Sequence, residues 1–226
     1  MKLRELIKSD WPAWLVVGLP FVVLAVVWDR LPAELPMHWN MYGEVDRYDA
    51  KGFGAWMIPL LGLGMYVLML AIPWMDPKHR IDPGQKGVKA FRLIIPAMMT
   101  GMFGIVCLSW LGYPINTSSA VYLLLCVLFL AMGNFMATMK PNYFIGIRTP
   151  WTLESPENWR RTHRLGGKLW VFGSLVMIVL WLFLPVGVYF WVFMAGVLTM
   201  SLVPVGYSLV LYLRDKRTAE GSRFKV

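Results

Sequence analysis

Residues 169–213 read LWVFGSLVMIVLWLFLPVGVYFWVFMAGVLTMSLVPVGYSLVLYL, without one Asp, Glu, Lys, Arg or His. About 20 apolar residues cross a bilayer core, so this run is too long for one span and long enough for two. Pro185-Val186-Gly187 supplies a tight turn, and Leu169–Leu184 with Val186–Leu213 reads as a transmembrane hairpin. Four more uncharged stretches lie upstream: Trp11–Trp28, Ala55–Met75, Leu93–Gly112 and Ala120–Met139. The expected fold class is all-α, a polytopic integral membrane protein with six transmembrane helices. Pro20, Pro59, Pro73, Pro96 and Pro204 fall in or near these spans, where neighbouring helices re-satisfy the freed backbone groups.

Composition agrees. Of 226 residues, 58% are hydrophobic and 15% charged, and the mean hydropathy is +0.55. Soluble domains are about 45–50% apolar and about 25% charged. That difference argues against a water-soluble enzyme, a disordered chain, or a nucleic-acid-binding domain built on an exposed basic face. The charge is also sided. With six spans, both termini and the loops 76–92 and 140–168 share one side, which holds 19 of the 22 Lys+Arg and 8 of the 13 Asp+Glu. The opposite side carries the remaining 3 bases and 5 acids, so the two sides stand at +11 and −2. Cytoplasmic loops carry the Lys/Arg excess, and both termini are expected in the cytoplasm. Lys2, Arg4 and Lys8 before the first span resemble a signal-peptide start. The bulky Val26-Val27-Trp28-Asp29 is wrong for cleavage, so the span is expected to stay as an anchor.

Two loops are long enough to carry function. The chain accordingly divides into an N-terminal part, 1–112, with an external loop at 29–54, and a C-terminal part, 113–226, with an internal loop at 140–168. The external loop is rich in turn formers and aromatic groups, which predicts an ordered, hairpin-like element. In the internal loop, Ser155-Pro156-Glu157 is a helix start: a hydroxyl cap, Pro at the first position, and an acid at the positive dipole end. That helix places Trp159, His163 and Gly167 on one face and Arg160, Arg164 and Lys168 on the next. It is expected to lie along the inner interface and then turn into the fifth span.

Alternative chemistry finds little support. His38 with Glu44, Asp46 and Asp49 could hold a divalent cation, but no paired-His spacing accompanies them, and a turn in which the Asn40, Asp46 and His38 side chains bond backbone groups is the preferred reading. His163 beside Ser155, Thr162 or Glu157 lacks the nucleophile–base–orienter pattern of an enzyme. Cys107 and Cys126 sit inside apolar runs as small hydrophobes, and no cofactor or metal is expected. The spans as delimited carry no ionisable residue, which disfavours a proton-coupled carrier. A carrier for a lipid or a hydrophobic peptide is the alternative.

The internal loop resembles the signature of the SdpI family of bacterial membrane proteins. The resemblance runs through Asn142, Gly146, Arg148, Thr149, Pro150, Trp151, Thr152, Leu153 and Ser155, then Trp159, Thr162, His163, Arg164 and Gly167. The external loop resembles the small domain of unknown function that often precedes it, through Pro36, His38, Trp39, Asn40, Gly43, Asp46 and Tyr48. The resemblance implies immunity to a secreted killing peptide. It also implies a receptor role, in which a transcriptional repressor is held at the membrane. On that view the external residues sense the peptide or hold the fold, and the internal residues signal or hold the fold. The implied partners are the lipid bilayer, a secreted antimicrobial peptide outside and a repressor protein inside, with no direct nucleic-acid binding.

Overall fold

The computed structural model describes residues 3–77 and 81–223; Lys2, Lys78, Arg80 and Lys225, counted above with the basic side, lie outside them. A short helix α1 (Leu3–Ser9) leads into α2 (Trp11–Val27), which ends in a single 3-10 turn, Trp28–Arg30. Two strands follow, β1 (Glu34–Trp39) and β2 (Val45–Ala50), then α3 (Lys51–Met75), α4 (Lys86–Trp110) and α5 (Thr117–Met136). The chain closes with α6 (Pro150–Glu154), α7 (Pro156–Trp181) and α8 (Val186–Arg223). Among the described residues, α2, α3, α4, α5, α7 and α8 are long and apolar enough to cross a membrane. Large apolar side chains such as Val26, Phe172, Phe183 and Leu198 point out of the bundle, as a lipid-facing surface requires.

Neighbours in sequence are neighbours in space. Helix α4 packs on α2, α3 and α5; α5 packs on α7, and α7 on α8. At the α5–α7 crossing the two backbones nearly touch. A Cβ added to Gly133 would lie 3.0 Å from the Gly167 carbonyl oxygen, and one added to Gly167 would lie 2.8 Å from that of Gly133. Small residues permit such approaches in membranes, where van der Waals packing drives helix association. Elsewhere Gly62, Gly101 and Gly196 lie close to Met99, Leu124 and Met177, whereas nothing lies within 4 Å of a Cβ placed at Gly64 or Gly104.

Three expectations need correction. The inner-loop helix does not turn at the interface: α7 runs unbroken from Pro156 to Trp181, continuing through Gly166-Gly167, with no proline after Pro156 to end it. Val186 is already helical, so the chain reverses at Leu182–Pro185, just before the proposed turn. The third span does contain an ionisable residue. Helix α4 begins at Lys86 and buries Arg92, 1% exposed, against Asp10 at the α1–α2 junction. Arg92 Nη2 donates to Asp10 Oδ1 (2.8 Å), Nε donates to Oδ2, and Nη1 donates to the Pro83 carbonyl (3.2 Å). Tyr66 of α3 also donates to Asp10 Oδ2, at 3.4 Å. One carboxylate and one guanidinium thus tie three helices in a forked, charge-assisted pair.

Breaking a buried pair costs about 3–5 kcal/mol, whereas replacing both partners with apolar residues is often neutral. Asp10→Asn should therefore lower thermal stability sharply in detergent, and the double variant Asp10→Leu/Arg92→Met should recover most of it. Equal loss in both would show that the site needs charge for another reason. At the helix crossing, Gly133→Val should cost about 1–3 kcal/mol by overpacking, and Gly104→Ala should leave the midpoint unchanged.

Candidate functional site

Connectivity places 29–54, 111–116 and 182–185 at one end of the bundle, and α1, 81–85 and 137–155 at the other. The first end is the predicted hairpin. Strands β1 and β2 pair antiparallel, with Pro36 opposite Tyr48 and irregular register around His38. Asn40 builds the turn: its side-chain oxygen accepts from the N–H groups of Tyr42 (2.9 Å) and Glu44 (3.0 Å). Gly43 takes φ +86°, a left-handed conformation that side chains disfavour, and a Cβ there would strike Asn116. His38 departs from the expected backbone bonding. Its Nδ1–H donates to the Asp46 carboxylate at 2.5 Å, across the two strands.

The hairpin is sewn to the helices beneath it. Trp110 Nε1 donates to the Pro36 carbonyl (2.8 Å), Ser118 Oγ to the Asn40 carbonyl (2.9 Å), and Asn116 Nδ2 to the Tyr42 carbonyl (2.9 Å). Leu35 is fully buried in a core with Leu24, Ala55 and Phe103, and Trp39 packs against its edge. Tyr48 stays exposed, as do His38 and Asp46.

At the other end, residues 140–149 fold back into the bundle and must satisfy their own backbone there. Asn142, 2% exposed, uses its whole amide. Its oxygen accepts from the N–H groups of Phe144 (2.9 Å) and Ile145 (2.7 Å), and its nitrogen donates to the carbonyls of Lys140 (2.9 Å) and Ile145 (3.1 Å). His163 Nε2 accepts from the Ile147 N–H at 2.9 Å, while Nδ1–H donates to the Trp159 carbonyl at 2.9 Å. These partners set a neutral imidazole with its proton on Nδ1. The Trp159 ring stacks on His163 at 3.9 Å, and its Nε1 donates to the Met139 carbonyl at 2.8 Å. Gly146, at φ +117°, leaves room for this arrangement: a Cβ would lie 2.3 Å from His163 Nε2.

The loop then locks onto the last two helices. Thr149 caps α6 in a reciprocal box with Thr152, whose hydroxyl also donates to the Ile147 carbonyl (2.9 Å). Trp151 Nε1 donates to Ser208 Oγ (2.6 Å) and its ring stacks on Tyr212. Arg148 donates to the Tyr143 carbonyl at 2.5 Å. Thr162, next to His163 in the chain, does not bond the Asn142–Arg148 segment; it donates to Asn158 Oδ1, one turn earlier, at 3.0 Å. Ser155 caps α7 by accepting from the Asn158 N–H (3.2 Å). His163 is thus bonded to backbone on both sides, with neither Ser155 nor Thr162 as its partner. Arg164 lies on the exposed face with Arg161 and Lys168, beside Tyr207.

Sequence reading missed Asn158 and Ser208. Asn158 Nδ2 donates to the Ser208 carbonyl (2.9 Å), and the Ser208 hydroxyl, fully buried, sits between Thr149, Trp151 and Val205. Asn158 lies inside the resemblance motif, three residues after the cap, so spacing could have flagged it. Ser208 is a lone hydroxyl in an apolar run and gave no signal.

Six membrane-crossing helices with these two folded ends define a multi-pass protein of the bacterial cytoplasmic membrane. Within that class, residues 138–208 match the SdpI/YfhL protein family, and residues 15–63 match a domain of unknown function, DUF1648. The chain is 26% identical over 177 residues to the immunity protein SdpI of Bacillus subtilis (strain 168), covering 76% of this chain and 81% of that protein. No solved structure matches it. The family region takes in the 140–149 loop, α6, α7 and most of α8; the upstream match takes in α2, the β-hairpin and the first half of α3.

Removing the Asn142 side chain strands several buried backbone groups, so Asn142→Ala should cost about 2–4 kcal/mol. Gly146→Ala should be similarly damaging through strain and collision with His163. Arg164→Ala, on the exposed face, should stay within about 0.5 kcal/mol of the parent. Thermal midpoints of the three purified variants check this ordering; an unstable Arg164→Ala beside a stable Asn142→Ala would contradict it.

Proposed function

We propose that this chain is a membrane immunity protein that protects its cell against a secreted killing peptide. The observation that carries the reading is the similarity to SdpI across most of both chains. The Lys/Arg asymmetry supports an orientation with both termini in the cytoplasm and the β-hairpin outside. An outer element bearing Glu34, Glu44, Asp46 and Asp49 suits a cationic peptide. In this reading Pro36, Trp39, Asn40 and Gly43 hold the hairpin, while His38, Asp46 and Tyr48 offer its exposed face. The first part, 1–112, captures, and the second, 113–226, reports.

Reporting would take the form of holding a transcriptional repressor at the inner surface. Arg161, Arg164 and Lys168 offer a basic face that can meet such a partner or lipid phosphates. Capture and reporting are coupled only if the peptide binds one packing of the bundle better than another.

Expression of the chain in a sensitive bacterium should raise survival against at least one member of a panel of secreted killing peptides. Killing that is unchanged across the panel, with the protein present in the membrane, would remove the reading. Substitution of Asp46 by Ala should lower protection without lowering protein abundance, since its partner His38 is exposed.

A further inference from the structure

Beneath the hairpin lies a cavity of about 320 Å³, walled by β1, α3, α4 and α5. Met37, Met57 and Met102 form much of it, with Trp39 and Val121. One wall residue is out of place in such a surface. Thr117, at the first turn of α5, is 2% exposed, and its hydroxyl has no hydrogen-bond partner among the described residues. Its neighbour Ser118, also at the wall, already donates to the Asn40 carbonyl. A buried hydroxyl without a partner is unfavourable, and a bound polar atom would relieve it. At the mouth, His38 lines the cavity and holds Asp46 by its ring, so an exposed carboxylate sits beside the opening.

We propose that this cavity is the capture site for one apolar side chain of a cationic amphipathic peptide, with a polar atom of the peptide bonded to Thr117 Oγ1. For its occupant the inference rests on the immunity reading above. Ligand pockets run from about 300 to 1,000 Å³, so this one holds a single large side chain and not a folded peptide. Three flexible methionines let the site repack around differing aliphatic or aromatic groups. The acidic hairpin supplies the charge complement, with Asp46 beside the mouth receiving a flanking lysine or arginine. Because the walls come from both parts of the chain, an inserted side chain bridges the hairpin and α3–α4 to α5. Helix α5 in turn packs on α7 through Gly133 and Gly167, which gives occupancy a mechanical route towards the inner loop.

The test uses the full chain in phosphatidylglycerol-containing nanodiscs and, as probe, a synthetic lysine–leucine amphipathic peptide carrying one photo-leucine. After illumination, adducts located by mass spectrometry should concentrate on Met37, Met102 and Val121. Val121→Trp, which fills the cavity, should reduce them about tenfold. Thr117→Val keeps the shape and removes only the hydroxyl, so it should reduce them several-fold without lowering the thermal midpoint. Adducts spread over lipid-facing residues such as Phe172 and Leu198, and unchanged in both variants, would overturn the proposal. So would labelling of the cavity by phosphatidylglycerol with a photoreactive acyl chain that the peptide cannot displace. Protection in cells without cavity adducts would overturn the site and leave the immunity reading standing. Cavity adducts without protection would support the site and count against that reading.

Discussion

A loop that folds into the end of a membrane bundle has little water to complete its hydrogen bonds, and the His163–Ile147 bond shows how this chain meets that constraint. The imidazole accepts from the loop and donates one turn back along its own helix, so it joins segment 140–149 to α7 without carrying charge. Asn142 closes the loop on itself, Trp159 covers Met139 and His163, and Gly146 supplies the space. A set of residue types as varied as Asn, Gly, Trp, Thr and His is therefore accounted for by one task, that of burying irregular backbone.

The hairpin end solves a related problem with less burial. Its strands are short and its outer face is charged, and the side chains of Trp110, Asn116 and Ser118 reach up to donate to its backbone carbonyls. Between the two ends the bundle relies on close approach, at Gly133 and Gly167, and on the Arg92–Asp10 pair with Tyr66. One end is thus held by buried side-chain bonds, and at the other the hairpin is seated over a partly empty, methionine-lined space.

Much of this was legible in the sequence, for identifiable reasons. An uncharged apolar run long enough to cross a bilayer is costly to leave in water, so six spans followed from hydropathy alone. The hairpin-like external loop and the Ser155-Pro156-Glu157 start are local chemistry, and both formed as read, although Pro36 and Asp46 lie in the strands and Asn40 builds the turn. What hydropathy could not show was where helices begin outside the apolar runs. It cut α4 at Leu93 and so set Arg92 in a loop, although a guanidinium can be buried wherever a carboxylate folds back to meet it. It likewise split α7, whose polar first half buries only one face, Asn158, Trp159, Thr162 and His163, by contact with the loop and α8 and not by apolarity. The long-range partners, Asp10 for Arg92 and Ser208 for Asn158, are separated by 82 and 50 residues and leave no local trace.

The central claim is that the 140–149 segment is a fixed structural element, held by buried side chains, despite having no regular secondary structure. Amide hydrogen exchange of the full chain in nanodiscs tests it directly. The account predicts that the Ile145 and Ile147 amides, bonded to Asn142 and His163, exchange as slowly as amides in the middle of α7. Exchange at the rate of an open loop at these two positions, with α7 still protected, would contradict it.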